Sequence, residues 1–377
     1  MTSLLNTRII QVDPDQPDIE IIQEAAELIA NGRLVAFPTE TVYGLGANAF
    51  NPDAVEKIFK AKKRPYSDPL IVHIKEIDQI HDVAINIPQI TWALAEKFWP
   101  GPLTFILERT FNISSKVSAG LNTVAVRMPS HKIPQQLIAH AGVPIAAPSA
   151  NLFTRPSPTT AQHVYSDLKG RIDLILDGGP SSIGLESTVL DLTQAEAVIL
   201  RPGGCSLEVL KKVISNVKIQ PMFHKLESDT TPSVSPGTLS KHYSPSAKVL
   251  LFSGEQNPTM QRLVNAARQL IANDISVGVM VSDENACYFD GVNVRLQTLG
   301  SHQDLEQISQ NLFAGMRALD ENEVDVILVM DFGQEGLGLA INDRLFRASE
   351  GVTITQNSDP TIVLRIKGRA ITLEIMS

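Results

Sequence analysis

Cysteine is scarce in this sequence, and long apolar runs are absent. The 377 residues include two cysteines, Cys205 and Cys287, which lie 82 positions apart. This scarcity excludes a disulfide framework and a cysteine-based zinc site, and it indicates a reducing compartment, so we expect a cytoplasmic protein. No segment approaches the ~18 consecutive apolar residues of a membrane span. Because the first residues, MTSLLNTRIIQVDPD, also lack the parts of a secretory signal, we expect no membrane partner.

Several enzyme motifs are missing as well. No GxxxxGK[ST] loop occurs, which excludes a P-loop enzyme. The HExxH and GxSxG motifs and paired metal-binding histidines are absent, so we expect no protein-bound metal. The stretch GQEGLGLA (333–340) lacks the spacing of a dinucleotide fingerprint. No activated nucleophile stands out. The hydroxyls, amides and cations that remain suit a phosphoanhydride reaction driven by positioning and electrostatic stabilisation.

The composition is that of a soluble globular protein with acidic net charge. Hydrophobic residues make up 43% and charged residues 19%, which allows a real core, and the length suggests two domains or three. The net charge of -9 argues against a protein whose main task is to bind nucleic-acid backbone. The charge is uneven, with -5 over residues 1–210, +3 over 211–244 and -7 over 245–377. A basic cluster at 57–64 suits a small anionic ligand.

The first 210 residues alternate helical and extended patterns, which predicts an α/β domain with a sheet of six or more strands. Strand order and direction stay open. Helices are predicted at 19–30, from Asn51-Pro52 through Lys62, and at 88–99. Strands are predicted at 34–38, 69–74, 103–108, 123–128, 143–147, 172–178, 187–192 and 197–203.

The chain changes character after the first domain. Residues 216–247 are rich in proline and hydroxyl residues, so we interpret them as a linker between a domain at 1–215 and a second one at 248–377. The second domain repeats short strand–helix–strand units, which predicts a small Rossmann-like fold. Its tail has strand-like alternation.

Polar residues gather where predicted strands end, and each group has two interpretations. PTETVYGLGAN (38–48) is a glycine-bearing loop open to a ligand, or a surface turn. Lys62 and Arg64 end a helix, where they suit phosphate or merely the helix dipole. Arg127 at a strand end could hold a carboxylate or form a structural ion pair. The loop APSANLFTRPSPT (147–159) suits ligand binding or a turn, and SPGTLSKHYSP (235–245) a lid or a spacer.

Seven motifs in one order resemble the YrdC family. They are PTETVYGLG, KAKKRP with PLIVHI, WPGPLT, AVRMPSH, APSAN, ESTVLD and RPG. The linker SPGTLSKHYSP and the small α/β domain resemble the long, two-domain members, and the match runs from about residue 20 to about 350. The resemblance implies an α/β fold with a YrdC-like twisted open sheet and flanking helices, plus the smaller Rossmann-like domain.

The same resemblance implies a reaction and its residues. L-threonine, bicarbonate and ATP, with Mg2+, would give L-threonylcarbamoyladenylate and pyrophosphate in a nucleotidyltransferase reaction. Other proteins would then transfer the threonylcarbamoyl group to tRNA, so we expect no strong direct tRNA binding. Lys62 and Arg64 would be catalytic. Threonine would be bound by Thr39, His73, Arg127 and Ser187. ATP would be bound by Lys62, Arg64, Thr123, Ser149, Asn151, Ser157, Arg201, His242 and Tyr243, the last two from a closing linker.

Two features depart from that pattern, and two other functions compete with it. Asp68 stands where we expect asparagine before Pro-Leu, and residues 352–377 extend past the resemblance. A nucleic-acid-binding module is one alternative, since the 57–64 cluster is basic. A carbamoyl-transfer factor for hydrogenase maturation is another, but those larger proteins carry cysteine-rich zinc motifs that this chain lacks.

Overall fold

The structure, a computed structural model, describes residues 5–221, 235–236 and 243–375. The chain divides into two compact units. The first holds Met1–Phe153 and Ser157–Leu239, and the second holds Thr154–Pro156 and Ser240–Ser377. The change of unit near residue 240 lies inside the segment interpreted as a linker, and the three-part division at 215 and 248 stays a prediction.

A large mixed sheet organises the first unit, as the alternation of patterns predicted. Within the described residues its strand order is β1-β9-β2-β3-β8-β4-β7-β6-β10-β11-β12, with β5 paired to β6. Its strands are β1 Arg8–Gln11, β2 Val35–Phe37, β3 Gly44–Asn48, β4 Ile71–His73, β5 Ala84–Ile85, β6 Leu103–Arg109, β7 Thr123–Arg127, β8 Ile145–Ala146, β9 Leu174–Asp177, β10 Thr188–Asp191, β11 Ala197–Arg201 and β12 Val217–Ile219.

Two strands correct the sequence interpretation. Gly44–Asn48 was predicted as part of a ligand-facing loop, but it is a buried strand antiparallel to β2. A Cβ at Gly46 would lie 2.6 Å from the ring of Phe37 and 2.8 Å from Ile145, so this glycine makes room for packing rather than for a ligand. Residues Val217–Ile219 fall in the predicted linker, yet they pair in parallel with β11 and extend the sheet.

Helices cover this sheet, and capping residues set their ends. They are α1 Ile19–Ala30, α2 Pro52–Lys62, α3 Ile80–Val83, α4 Ile90–Phe98, α5 Lys132–Ala141, α6 Ala161–Leu168 and α7 Leu207–Leu210. The Asn51 side chain accepts hydrogen bonds from the backbone of Asp53 and Ala54, and Pro52 occupies the first turn, as predicted. At the other end, Lys63 adopts a left-handed backbone conformation with φ +54° and ends α2, so Lys62 lies on the last turn.

The second unit contains an all-parallel sheet, in agreement with a Rossmann-like fold. Its strands are β13 Lys248–Phe252, β14 Val277–Val281, β15 Arg295–Thr298, β16 Val326–Met330 and β17 Thr353–Ile354, in the order β15-β14-β16-β13-β17. Its helices are α8 Gln256–Ala272, α9 Leu305–Glu321 and α10 Gly338–Ala348.

The tail forms an antiparallel hairpin of β18 Thr361–Ile366 and β19 Arg369–Glu374. One face of the hairpin is apolar, and its Leu364, Ile371 and Leu373 are buried in the same cluster as residues of β13 and α8. The alternation predicted for this tail therefore belongs to a hairpin that completes the core of the second unit.

Candidate active site

The turn between β2 and β3 is the centre of the site in the first unit. The Oγ1 atoms of Thr39 and Thr41 lie 2.8 Å apart, and Thr39 Oγ1 donates to the carbonyl of Val42 at 2.6 Å. Both threonines are buried. Hydroxyls held in this way belong to a rigid turn that brings side chains of other strands against it.

Arg127 reaches this turn from the end of β7. Its Nη1 donates to Thr41 Oγ1 at 2.8 Å, and its Nε donates to the carbonyl of Gly101 at 3.1 Å. Its Nη2 lies 2.7 Å from Oε1 of Glu40, and both side chains are buried. The guanidinium therefore stands at a strand end with a fixed orientation, where it is able to bind a carboxylate.

Glu40 is a site residue that the sequence interpretation missed. Apart from the ion pair with Arg127, its carboxylate oxygens have no hydrogen-bond partner within the described part of the chain. The one clue in the sequence is that Glu40 stands between Thr39 and Thr41, in the loop considered as a ligand site. A single glutamate gives no hint of its partner until the fold brings β7 beside the turn.

His73 lies next to Arg127 across the sheet. Strands β4 and β7 are parallel, and His73 is in register with Arg127. Burial and the charge of Arg127 lower the pKa of His73 to about 3, so the imidazole is neutral at physiological pH. Its Nδ1 is buried without a hydrogen-bond partner among the described residues, which leaves one polar atom available to a small ligand.

Ser187 and Arg201 join the same region from β10 and β11. Ser187 Oγ lies 2.7 Å from Oγ1 of Thr104, a residue in register with Arg127. Arg201 Nη2 donates to the carbonyl of Ser187 at 2.8 Å, and its Nη1 donates to the carbonyl of Pro236 at 3.0 Å. A residue from the predicted lid segment thus lies against a predicted site residue within the first unit.

Lys62 forms a second group with the loop after β8. Its Nζ donates to the carbonyl oxygens of Ser149 at 2.5 Å and Asn151 at 2.6 Å. Ser149 Oγ in turn donates to Asn151 Oδ1 at 2.5 Å. Ser149 also bridges to Gly44, which follows the central turn. The ammonium is buried, and the carbonyl oxygens of this loop hold it in place.

Arg64 follows Lys62 by two residues and is also buried, and its guanidinium has an anionic partner. Its Nη2 lies 2.9 Å from Oδ2 of Asp68, and both side chains are buried. It also donates to the carbonyls of Asp68 and Pro69. Asp68, the residue that departs from the family pattern, therefore neutralises one of the two predicted catalytic cations.

The other cations of the 57–64 cluster do not form a free basic surface. Lys57 donates to the carbonyl of Gly32 at 2.7 Å, and Lys60 forms an ion pair with Glu56 at 2.7 Å. Lys57, Lys60 and Lys63 are exposed, whereas Lys62 is buried. The cluster therefore offers three exposed cations to a phosphate backbone, and two of them, Lys57 and Lys60, already bind groups of the chain.

The remaining predicted nucleotide residues take separate positions. Ser157 is buried and donates to Glu186, the residue before Ser187. Thr123 begins β7, about 13 Å along that strand from Arg127 at ~3.3 Å per residue. The carbonyl of Pro158, the residue after Ser157, accepts a hydrogen bond from the backbone N–H of Tyr43, so the structure brings Ser157 close to the central turn. Thr123 does not lie at this turn.

Of the two predicted linker residues, the structure describes Tyr243. His242 lies outside the described residues. Tyr243 belongs to the second unit, where its ring is buried and stacks on Phe313 with centroids 5.3 Å apart. The guanidinium of Arg344 lies 5.2 Å from its ring centroid. Closure of either residue over ATP stays a prediction.

Comparison with known proteins links this site to one family. Residues 27–203 match a family model of Sua5, YciO and YrdC proteins that is described as "Telomere recombination". Residues 205–350 match one described as "Threonylcarbamoyl-AMP synthase, C-terminal domain". Within the described residues, no helix is long and apolar enough to cross a bilayer.

Individual relatives agree with these matches over both units. The threonylcarbamoyl-AMP synthase of Pyrococcus abyssi is 44% identical over 331 residues, which are 87% of this chain and 94% of the relative. That of Bacillus subtilis is 43% identical over 88% of this chain and 94% of its own. The crystal structure of P. abyssi Sua5 complexed with L-threonine superposes with a TM-score of 0.86 at 42% identity, covering 92% of this chain and 99% of that one.

Proposed function

The chain belongs to the threonylcarbamoyl-AMP synthase family, and on that premise we propose that it forms L-threonylcarbamoyladenylate and pyrophosphate from L-threonine, bicarbonate and ATP. The observation that carries the proposal is one of geometry. The guanidinium of Arg127 and the buried ammonium of Lys62 border the same turn, residues 39–44.

The reaction needs two bond-forming steps and no covalent enzyme intermediate. Bicarbonate takes up a proton and loses water to give carbon dioxide. The neutral amine of threonine attacks its carbon, the electrons of one C=O π bond move to oxygen as the C–N bond forms, and the nitrogen releases a proton to give the carbamate. A carbamate oxygen then attacks the α-phosphorus of ATP. The new O–P bond replaces the bond between the α-phosphorus and its bridging oxygen, and pyrophosphate leaves with both electrons of that bond. Because the step joins two anions, positioning and charge compensation are what the protein supplies.

We assign the threonine subsite to Thr39, His73, Arg127 and Ser187. Arg127 would bind the α-carboxylate, since it is the only one of the four with a charge of opposite sign. Neutral His73, with an open Nδ1, and the buried Ser187 hydroxyl supply polar atoms for the rest of the amino acid. A buried imidazole that stays uncharged adds no second cation beside Arg127.

We assign the nucleotide subsite to the Lys62 group, Arg64, Ser157 and Arg201, with Thr123 farther along β7. Lys62 and Arg64 would offset the charge that develops on the phosphates, and this is their catalytic role. Asp68 forms an ion pair with Arg64 and therefore offsets part of the charge that Arg64 would offer to the phosphates.

Mg2+ would enter as the MgATP complex, as part of the substrate. Within the described residues, no group of three or more His, Cys, Asp or Glu side chains could hold a metal ion. The phosphate oxygens of ATP and water would supply its ligands. We place the reaction in the cytoplasm, and we expect separate tRNA-modifying proteins to take up the adenylate, without strong tRNA binding by this chain.

The test is pyrophosphate release by the full chain with MgATP and bicarbonate, with and without L-threonine. Release that depends on threonine, together with a product of the mass of threonylcarbamoyl-AMP, is the expected result. Release that does not depend on threonine contradicts the proposal. Closure of the linker is tested separately, because protease cleavage within 235–245 should slow when ATP and threonine are both present; unchanged cleavage contradicts a lid.

A further inference from the structure

The parallel sheet of the second unit has a topological switch point at the carboxyl ends of β13 and β16. Helix α8 leads from β13 toward the β15 edge, and α10 leads from β16 toward the β17 edge. Right-handed crossovers then place α8 on one face of the sheet and α10 on the other, together with α9, which it contacts. Ligands of open α/β sheets bind where neighbouring strands send their connections to opposite faces.

Polar groups meet at this switch point. Ser253 follows β13 and Asp331 follows β16, and the Ser253 hydroxyl donates to the Asp331 carboxylate. Burial raises the pKa of Asp331. Ser282, which follows the adjacent strand β14, is buried, and its Oγ has no hydrogen-bond partner among the described residues. Three strand ends therefore present polar side chains to one edge of the sheet.

Arg262 brings a buried positive charge to the same place. It lies on α8 and is 3% exposed. Its Nη2 donates to Thr259 Oγ1 at 2.9 Å and to the carbonyl of Ser253 at 3.2 Å. Its Nε and Nη1 are buried without a hydrogen-bond partner, and no carboxylate forms an ion pair with it, within the described part of the chain. A guanidinium stays charged in proteins, so this one lacks the anion that would compensate it.

A glycine lets the backbone lie close to the side chain of Arg262. Gly254 has φ +138°, and a Cβ there would lie 3.1 Å from Thr259 Oγ1 and 3.3 Å from Arg262 Nη2. The 17-residue helix α8 begins two residues later, and its N-cap, Glu255, makes no side-chain capping bond. A glycine turn that leads from a strand into an uncapped helix N-terminus is a common phosphate-binding arrangement in α/β proteins.

We propose that this switch point is a second ligand site, which binds a small phosphate-bearing molecule of the nucleotide class. Arg262 and the start of α8 hold its phosphate, and the Asp331 carboxylate, beside Ser253, accepts a hydrogen bond from a hydroxyl of its sugar. The site lies wholly within the second unit and does not depend on the function proposed for the first. It gives the second unit a binding role of its own.

The experiment is hydrogen–deuterium exchange of the full chain with inorganic phosphate, AMP or L-threonine as probes. Phosphate or AMP should slow exchange in peptides covering 253–260 and 331–333. Arg262→Met should abolish this slowing, whereas Arg268→Met, an exposed arginine on the same helix, should keep it. Exchange in the first unit serves as an internal control, because its response to AMP should be the same in both variants.

A melting experiment separates a ligand site from a structural role of Arg262. If the charge is kept for a ligand, Arg262→Met should melt at the same temperature as the unmodified chain or higher when no ligand is present. It should also lose the rise in melting temperature that phosphate gives. A lower melting temperature of the free variant overturns the proposal, as does absent slowing with phosphate and AMP, or slowing with threonine alone.

Discussion

Arg127 and Glu40 form a buried ion pair, with Nη2 and Oε1 2.7 Å apart, at the centre of the candidate threonine subsite. The cation assigned to the substrate carboxylate therefore already has an anionic partner within the protein. Threonine carries an ammonium as well as a carboxylate, so its entry adds one charge of each sign beside an existing pair. The net charge of the subsite therefore stays balanced when threonine binds.

Removal of the pair should affect threonine far more than ATP. In the double variant Arg127→Met with Glu40→Gln, both buried charges disappear together, so the fold should survive. We expect the KM for threonine to rise roughly 10- to 100-fold, since a hydrogen bond to a charged group contributes about 1.5–3 kcal/mol. The KM for ATP should change less than about threefold. Steady-state pyrophosphate release measures both.

Arg127→Ala alone provides the matched control for this comparison. It leaves the Glu40 carboxylate buried without its partner, which should lower the free energy of unfolding by about 3–5 kcal/mol. The double variant should be clearly more stable than the single one in urea. Equal effects of the double variant on the two KM values would show that Arg127 does not bind the threonine carboxylate.

Asp68→Asn should strengthen ATP binding. Asp68 lies 2.9 Å from Arg64 Nη2 and cancels much of the field that Arg64 would present to phosphate. The amide keeps the shape of the side chain and removes the charge. We expect the KM for ATP to fall about fivefold, roughly 1 kcal/mol, at low salt. Glu196→Gln, at an exposed ion pair with Lys218, should leave this KM unchanged; a fall in both variants, or in neither, contradicts the role given to Asp68.

His73 should make the stability of the chain depend on pH. Burial and Arg127 lower its folded-state pKa to about 3, whereas an unfolded histidine titrates near ~6.5. Between these values the unfolded chain binds a proton that the folded chain does not. The contribution of His73 to the free energy of unfolding is therefore fully present above about pH 6.5. It is lost as the pH falls toward 3, by up to about 1.4 kcal/mol per pH unit.

The variant His73→Gln isolates this contribution. Urea unfolding at pH 7 and pH 5 should show a smaller loss of stability in the variant than in the unmodified chain, by about 2 kcal/mol. Identical slopes in the two proteins would mean that His73 is not buried as the neutral imidazole.

Local signals in the sequence were enough for the architecture, whereas most candidate site residues came from the resemblance and stay predictions. Asn51-Pro52 fixed the start of α2, and each predicted strand of the first domain is present, because capping and apolar alternation are short-range effects. The strand Gly44–Asn48 was missed, since its glycines lack the β-branched signature of a strand and matter only through contact with Phe37.

Pairings between distant segments were beyond reach of the sequence. Glu40 with Arg127 and Ser157 with Glu186 join residues 87 and 29 positions apart, and no local pattern encodes them. The uncompensated charge of Arg262 was equally hidden, because an arginine inside an amphipathic helix ordinarily faces water. Only the packed structure shows that it is 3% exposed.

Tyr243 should anchor the end of the linker to the second unit. Its ring stacks on Phe313 at 5.3 Å and lies 5.2 Å from the guanidinium of Arg344. Tyr243→Ala should lower the free energy of unfolding of that unit by about 3–5 kcal/mol, as for other buried aromatic residues, whereas Tyr243→Phe keeps the stack and should cost much less.

Both tryptophans, Trp92 and Trp99, lie in the first unit. Tryptophan fluorescence in urea therefore reports the first unit, and exchange of peptides from α9 reports the second. Equal exchange in the alanine and phenylalanine variants would contradict the anchor.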